Sequence, residues 1–285
     1  MTYSQFRKEQ KSFQSEQGNI KYMDQGEGEV VLLLHGIPTS GWLYRKMMDP
    51  LADNYRLIIP DMLGFGSSDS PKGYDLYAPP NHAQRLLELM AYLNIRSWHH
   101  VLHDAGGLWT WELMKLNPSC IKSLTILNTI IFEEGFKPPI RFTKGFIAKC
   151  VMAMYSNGIA TNTMLKGLFK SGLVKNNLSK EELSGYKKPL LEGKTKAMYH
   201  FFSNTCNDLP DYGNVIDDIR VPAQIIWGIH DTFLLINKIK DTLVSRMRLK
   251  NEDVHLIDAK HFIQEEKPDE IVFLINRFIG SETTS

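Results

Sequence analysis

Val101-Leu102-His103-Asp104-Ala105-Gly106-Gly107 is the stretch whose reading decides the fold. An apolar run ends at Leu102, and a helical pattern from Gly106 to Asn117 follows with almost nothing between them. A turn that tight forces its apex residue into a strained backbone conformation, which small neighbours such as Ala105 and Gly106 make tolerable. It also lifts the apex side chain to the mouth of a sheet, onto the positive end of the following helix. The apex is Asp104. A carboxylate there can be an ordinary helix cap, so its meaning depends on its surroundings.

Outward from this turn, short continuous apolar runs alternate with amphipathic stretches. Glu29–Leu34, Tyr55–Pro60 and Trp98–Leu102 read as strands buried on both faces, and Asn81 to Asn94 as a helix capped by Asn81. A strand over Ser123–Asn128 continues the alternation, which predicts a parallel sheet with right-handed crossovers. From Glu133 to Asn214 the buried strands stop and helical stretches rich in Met, Phe and Lys take over. Strand character returns at Pro222–Trp227 and Val254–Ile257, and a helix from Pro268 to Phe278 closes the pattern. The expected architecture is α/β: a doubly wound, mostly parallel sheet formed by residues 1–132 and 215–285, interrupted after its sixth strand by a helical cap over 133–214. Such a cap would cover the carboxyl ends of the strands, where open α/β sheets bind ligands.

Three further turns give Asp104 a chemical context. Leu34-His35-Gly36-Ile37-Pro38-Thr39-Ser40 follows the first apolar run and can aim a backbone N–H at the elbow. The Ala105 N–H supplies a second donor of the same kind. Ile226-Trp227-Gly228-Ile229-His230-Asp231 delivers a carboxylate at a strand end, and Leu256-Ile257-Asp258-Ala259-Lys260-His261 delivers a histidine. Three such groups at strand ends, in the order nucleophile, acid, histidine, point to Asp104, Asp231 and His261 acting together.

The motifs HGIPTS, DMLGFGSSD, HDAGG, WGIHD and AKHFIQEEKPDEI resemble those of the aspartate-nucleophile α/β hydrolases: epoxide hydrolases, haloalkane dehalogenases and Renilla-luciferase-like proteins. The resemblance implies the α/β-hydrolase fold and an alkyl-enzyme ester on Asp104. His261, oriented by Asp231, would activate the water that hydrolyses it, with the Ile37 and Ala105 N–H groups holding the oxyanion. The positions at which dehalogenases carry a halide-binding Trp and Asn hold Ala105 and Ile37, which argues against ordinary dehalogenation. An epoxide hydrolase needs acids from the cap, and Tyr199 and Tyr155 are the candidates. His35 is grouped with the substrate-binding residues. Trp42 stands between pocket wall and core, and Trp109 packs the core or lines the pocket floor. The favoured expectation is an epoxide-hydrolase-like enzyme. A dehalogenase, a cofactor-free oxygenase of the luciferase type, and a non-catalytic binding protein on the same fold remain open.

Composition narrows the partners. Among 285 residues, 33 are basic and 32 acidic, a net charge of +1, so the chain as a whole gives no reason to expect nucleic acid. Cys120, Cys150 and Cys206 are too few and too scattered for a disulfide framework or a zinc cluster. His99 and His100 lack partners at metal-ligand spacing, so no metal and no cofactor is expected. Asp61 reads as fixing a turn, His103 as bonding locally, and the cap lysines as a solvated face. With no signal-like or membrane-spanning apolar run, the expectations are a cytoplasmic protein, a small-molecule substrate and no membrane partner, with a homodimer left open.

Overall fold

The computed structural model describes residues 1–175 and 177–282. Eight strands form one sheet: β1 (Lys11–Ser15), β2 (Gly18–Gln25), β3 (Val30–Leu34), β4 (Arg56–Asp61), β5 (Trp98–Asp104), β6 (Ile121–Thr129), β7 (Ala223–Gly228) and β8 (Val254–Ile257). Their order across the sheet is β1-β2-β4-β3-β5-β6-β7-β8. Neighbours from β4 to β8 pair in parallel, whereas β1 and β2 form an antiparallel hairpin that joins β4 antiparallel. The chain therefore leaves β3 for β4 on one side and later returns to β5 on the other. That reversal opens a crevice at the carboxyl ends of β3 and β5, the place where doubly wound sheets bind ligands.

The parallel strands follow their apolar runs to within a few residues. β5 outruns its run, because His103 and Asp104 are also buried and still belong to the strand. The hairpin differs from expectation. Its strands are half polar and bury mainly one face, through Phe13, Ile20 and Tyr22, with Met23 buried on the other, so residues 11–25 look like a solvated terminus. The helix after β4 also begins earlier than read. It spans Pro79–Tyr92, with prolines in its first turn, where a missing N–H costs nothing. Asn81 is consequently inside the helix rather than its cap, and its amide donates to the Asp75 carbonyl at 2.8 Å.

β6 and β7 are neighbours, and the Leu124 N–H donates to the Pro222 carbonyl at 2.9 Å. Among the described residues, everything between them is helical or irregular. The helices are Phe146–Met154, Gly158–Gly172, Lys180–Leu191, Lys196–His200 with a wider turn over Phe201–Thr205, and Gly213–Asp217. Among the described residues no strand of this stretch joins the sheet; one isolated bridge links Phe136 to Leu234.

This helical layer is fastened to the sheet layer by a buried ionic cluster. Arg45, 5% exposed at its side chain, pairs with Glu265 and with Glu182 of helix Lys180–Leu191. Tyr186 of the same helix donates its hydroxyl to Glu265, and the Arg45 guanidinium stacks 4.6 Å over the Trp42 ring. The Trp42 indole N–H donates to the Glu182 carbonyl at 3.0 Å. The lysines of the layer are not all solvated: Lys194 donates to the Ser68 carbonyl, and Lys196 to that of Ser70 at 2.7 Å.

Candidate active site

Asp104 ends β5 with φ +51°, a left-handed conformation that β-carbon residues avoid. The strain is held in place from both sides. The Thr129 hydroxyl donates to the Asp104 carbonyl, and the Ile130 N–H donates to it at 3.2 Å. Gly36 lies so close that a Cβ there would meet the Asp104 side chain at 2.4 Å. Glycine is required at that turn by proximity alone.

The Asp104 carboxylate receives the Ile37 N–H at Oδ2, at 2.7 Å, and the Ala105 N–H also bonds to it. Both donors expected of an oxyanion hole thus converge on one carboxylate. Burial pushes the Asp104 carboxyl above the ordinary carboxylate range, while His261 and the two N–H groups pull the other way. His261 Nε2 stands 3.7 Å from Asp104 Oδ1, too far for a hydrogen bond. On its other side Nδ1 donates to Asp231 Oδ2 at 2.8 Å. Burial opposes protonation of His261, but the charge and hydrogen bond of Asp231, with the charge of Asp104, raise its pKa above 6.5.

Asp231 is fixed by four donors. Its Oδ1 accepts the Phe233 and Leu234 N–H groups at 2.7 and 3.1 Å. Its Oδ2 accepts the Asn128 amide at 2.7 Å in addition to His261. Asn128, from the end of β6, is oriented in turn by accepting the Gly228 N–H at 2.9 Å. His103 reaches beyond its own turn: its ring lies 4.7 Å from that of His261, and its Nε2 donates to the His261 carbonyl at 3.0 Å. Burial and the neighbouring His261 hold His103 well below the ordinary histidine range, so it is neutral and can sit there without repelling the imidazole.

These groups open onto a cavity of about 330 Å³. Its walls are apolar: Ile37, Phe136, Ile140, Met164, Leu168, Met198, Phe201, Phe202 and Phe233 surround Asp104 and His261. Tyr155 lines it, as expected of a cap tyrosine, with Thr163, Gly167 and Ser171 along one face of helix Gly158–Gly172.

The other expected substrate contacts are not on this wall. Tyr199 is turned away, its ring 4.3 Å from that of Tyr74 and its hydroxyl accepting the Gly145 N–H at 3.3 Å. The cause is helical phase. Met198 faces the cavity, and so do Phe201 and Phe202, three and four residues on, whereas Tyr199 is one residue off that face. Trp42 belongs to the Arg45 cluster, packed edge-on against Tyr3 and Phe6. Trp109 is core, between His35 at 5.5 Å and His82 at 4.6 Å. His35 is structural too. It donates to the Gly36 carbonyl and accepts the Met62 N–H, and burial drops its pKa to about 4. Asp61 does fix a turn, accepting the Gly41 and Ser67 N–H groups. Among the described residues no cluster suited to a metal ion occurs.

A family model described as the alpha/beta hydrolase fold matches residues 29–268. The chain belongs to the α/β-hydrolase fold family. Among α/β hydrolases it is similar to the cis-3-alkyl-4-alkyloxetan-2-one decarboxylase of Shewanella oneidensis, 29% identical over 95% of this chain and 89% of that protein. Haloalkane dehalogenase 2 of Mycobacterium tuberculosis is 25% identical over 95% of both chains. Epoxide hydrolase 3 of Xenopus tropicalis is 22% identical over 89% of this chain and 72% of its own length. This α/β hydrolase therefore has relatives that work on carbon–halogen bonds, on epoxides and on a four-membered lactone.

Proposed function

We propose that Asp104 attacks an sp³ carbon of a strained oxygen ring in a small, mostly apolar substrate, forming an alkyl-enzyme ester in an epoxide-hydrolase-like reaction. The observation that carries this reading is the strained carboxylate of Asp104 at the floor of an apolar cavity, 3.7 Å from His261 Nε2. A carboxylate needs no base to become a nucleophile, so the histidine is available for the second step. There His261, with Asp231 behind it, takes a proton from water as the water attacks the ester carbonyl. The negative oxygen that results would be held by the Ile37 and Ala105 N–H groups. A purely structural role leaves the positive φ of Asp104 without a purpose, although such a conformation costs of order 1–3 kcal/mol.

The leaving group follows from the wall. Neither Trp42 nor Trp109 offers its indole to the cavity, which supports oxygen over halide as the departing atom. An epoxide leaves as an alkoxide and needs a proton, for which Tyr155 is the tyrosine at hand. Because Tyr199 is absent from the wall, a second reading gains support. An oxetan-2-one would leave as a carboxylate that needs no acid. Asp104 would displace the ring oxygen from its sp³ carbon. The carbon–carboxylate bond would then break, its electron pair forming the alkene as CO₂ departs and Asp104 is released.

A single-turnover experiment in heavy-oxygen water, with enzyme in excess, tests both. An aliphatic epoxide should give an unlabelled diol and place the label in Asp104. A 3,4-dialkyl oxetan-2-one should give alkene and CO₂ if the second reading holds. A diol labelled in its first turnover would mean direct attack by water and would overturn the ester.

A further inference from the structure

Helix Phe146–Met154 turns an apolar face to solvent. Phe146, Ile147, Cys150, Ala153 and Met154 fall at i, i+1, i+4, i+7 and i+8, on one side of the helix. All five are exposed, Phe146 and Ile147 at 79% and Met154 at 59%. Ala148 and Met152, on the other side, are the residues buried against the molecule. Ile159, opening the next helix, is 80% exposed. Scattered apolar residues on a surface need no explanation, but a contiguous helical face of large ones marks a contact.

The charge around this face has one sign. Residues 135–180 contain eight Lys and Arg and no Asp or Glu. Arg141 is paired with Glu133, but among the described residues Lys137, Lys144, Lys149, Lys166, Lys170 and Lys175 form no ion pair. An exposed apolar ridge among unneutralised lysines is the pattern of a segment that lies in a membrane interface.

We propose that this face docks on an anionic lipid surface, with Phe146, Ile147, Met154 and Ile159 entering the headgroup boundary and the lysines meeting lipid anions. A second copy of the chain is a poorer occupant. A two-fold contact would set the basic rim against itself with no acid in the segment to offset it. The docked face adjoins the cavity, since Tyr155 follows Met154 and Thr163 lies one helical turn beyond Ile159. The inference departs from the expectation of no membrane partner, which rested on the lack of a membrane-spanning apolar run; a helix lying in the interface needs none. It does not depend on the reaction at Asp104.

The test is cosedimentation of the full chain with vesicles of phosphatidylcholine alone and of phosphatidylcholine with phosphatidylglycerol. Binding should require the anionic lipid and weaken with salt. Replacing Phe146 and Ile147 by Glu should abolish it without changing the melting temperature, because both are exposed. Lys144→Glu and Lys166→Glu should each weaken it about fivefold or more, from roughly 1 kcal/mol per basic residue near a charged surface. Tryptophan fluorescence of an Ile159→Trp variant should shift to the blue only with anionic vesicles. Asp104→Asn should bind like the parent, so a failed reaction and a failed surface are told apart. Equal binding to both vesicle types, or binding indifferent to Phe146 and Ile147, would overturn the proposal. So would lipid-free self-association that the Glu variants abolish, which would assign the face to a second copy.

Discussion

At the scale of single residues, the proposed reaction gives Asp104 and His261 separable duties, and substitution should part them. His261→Gln removes the base for hydrolysis but leaves the nucleophile, so a reactive epoxide should add to the protein and stay. Intact-mass analysis should show the adduct and peptide mapping should place it on Asp104; Asp104→Asn should give none. The pH dependence has a definite sign. His261 works as a base only when neutral, and its pKa in the free enzyme lies above 6.5. Ester hydrolysis should therefore rise with pH and fall on the acid side. Esterified Asp104 carries no charge, so the inflection followed on the trapped ester should lie below that of the free enzyme. Stopped-flow decay of the ester against pH checks this, and an inflection unmoved between the two states would contradict it. Asn128 acts one step further back, through Asp231. Asn128→Ala removes a hydrogen bond to a charged group, of order 1.5–3 kcal/mol. Turnover should fall roughly tenfold to hundredfold, and the same pH profile should move, as a loss of packing alone would not make it do. Sequence made Asp104, Asp231 and His261 readable as a group because each ends an apolar run at a sharp turn, and the structure brings the three side chains together. Asn128 and His103 escaped because their partners lie 103 and 158 positions away.

Individual elements carry the selectivity and the cap's attachment. Helix Gly158–Gly172 presents Thr163, Gly167 and Ser171 to the cavity, and a Cβ added at Gly167 would meet nothing within 4 Å. Gly167→Phe should consequently fill space rather than clash. Over a series of substrates of increasing chain length, kcat/KM should fall for the long members and hold for the short ones; an even loss would mean that the helix had shifted. The clamp at Arg45 makes a different demand. Arg45→Ala leaves Glu265, 1% exposed at its side chain, with the partly exposed Lys46 as its remaining counter-charge. Removing one partner of a buried pair costs about 3–5 kcal/mol when nothing replaces it; Lys46 offsets part of this, so urea unfolding should register a smaller but clear loss. Helical phase also explains the main misreading. Tyr199 was expected on the wall by its place in the chain, but the pattern Met198, Phe201, Phe202 fixes which side of that segment looks inward, and this spacing was visible in the sequence.

Across the whole molecule, the parallel core was legible because strands buried on both faces must be continuously apolar. The β1–β2 hairpin was not, since half-polar strands that bury mainly one face resemble a polar terminus. Whole-chain charge hides how the charge is distributed along the chain. Residues 135–180 hold eight of the 33 basic residues and none of the 32 acidic ones, which leaves 25 against 32, a net of −7, on everything else. A chain that is almost neutral in sum is thus strongly bipolar. In the field of a charged surface such a body experiences a torque before it feels any net pull, so it should arrive cap first, and at low ionic strength it should cling to a cation exchanger even where its total charge is close to zero.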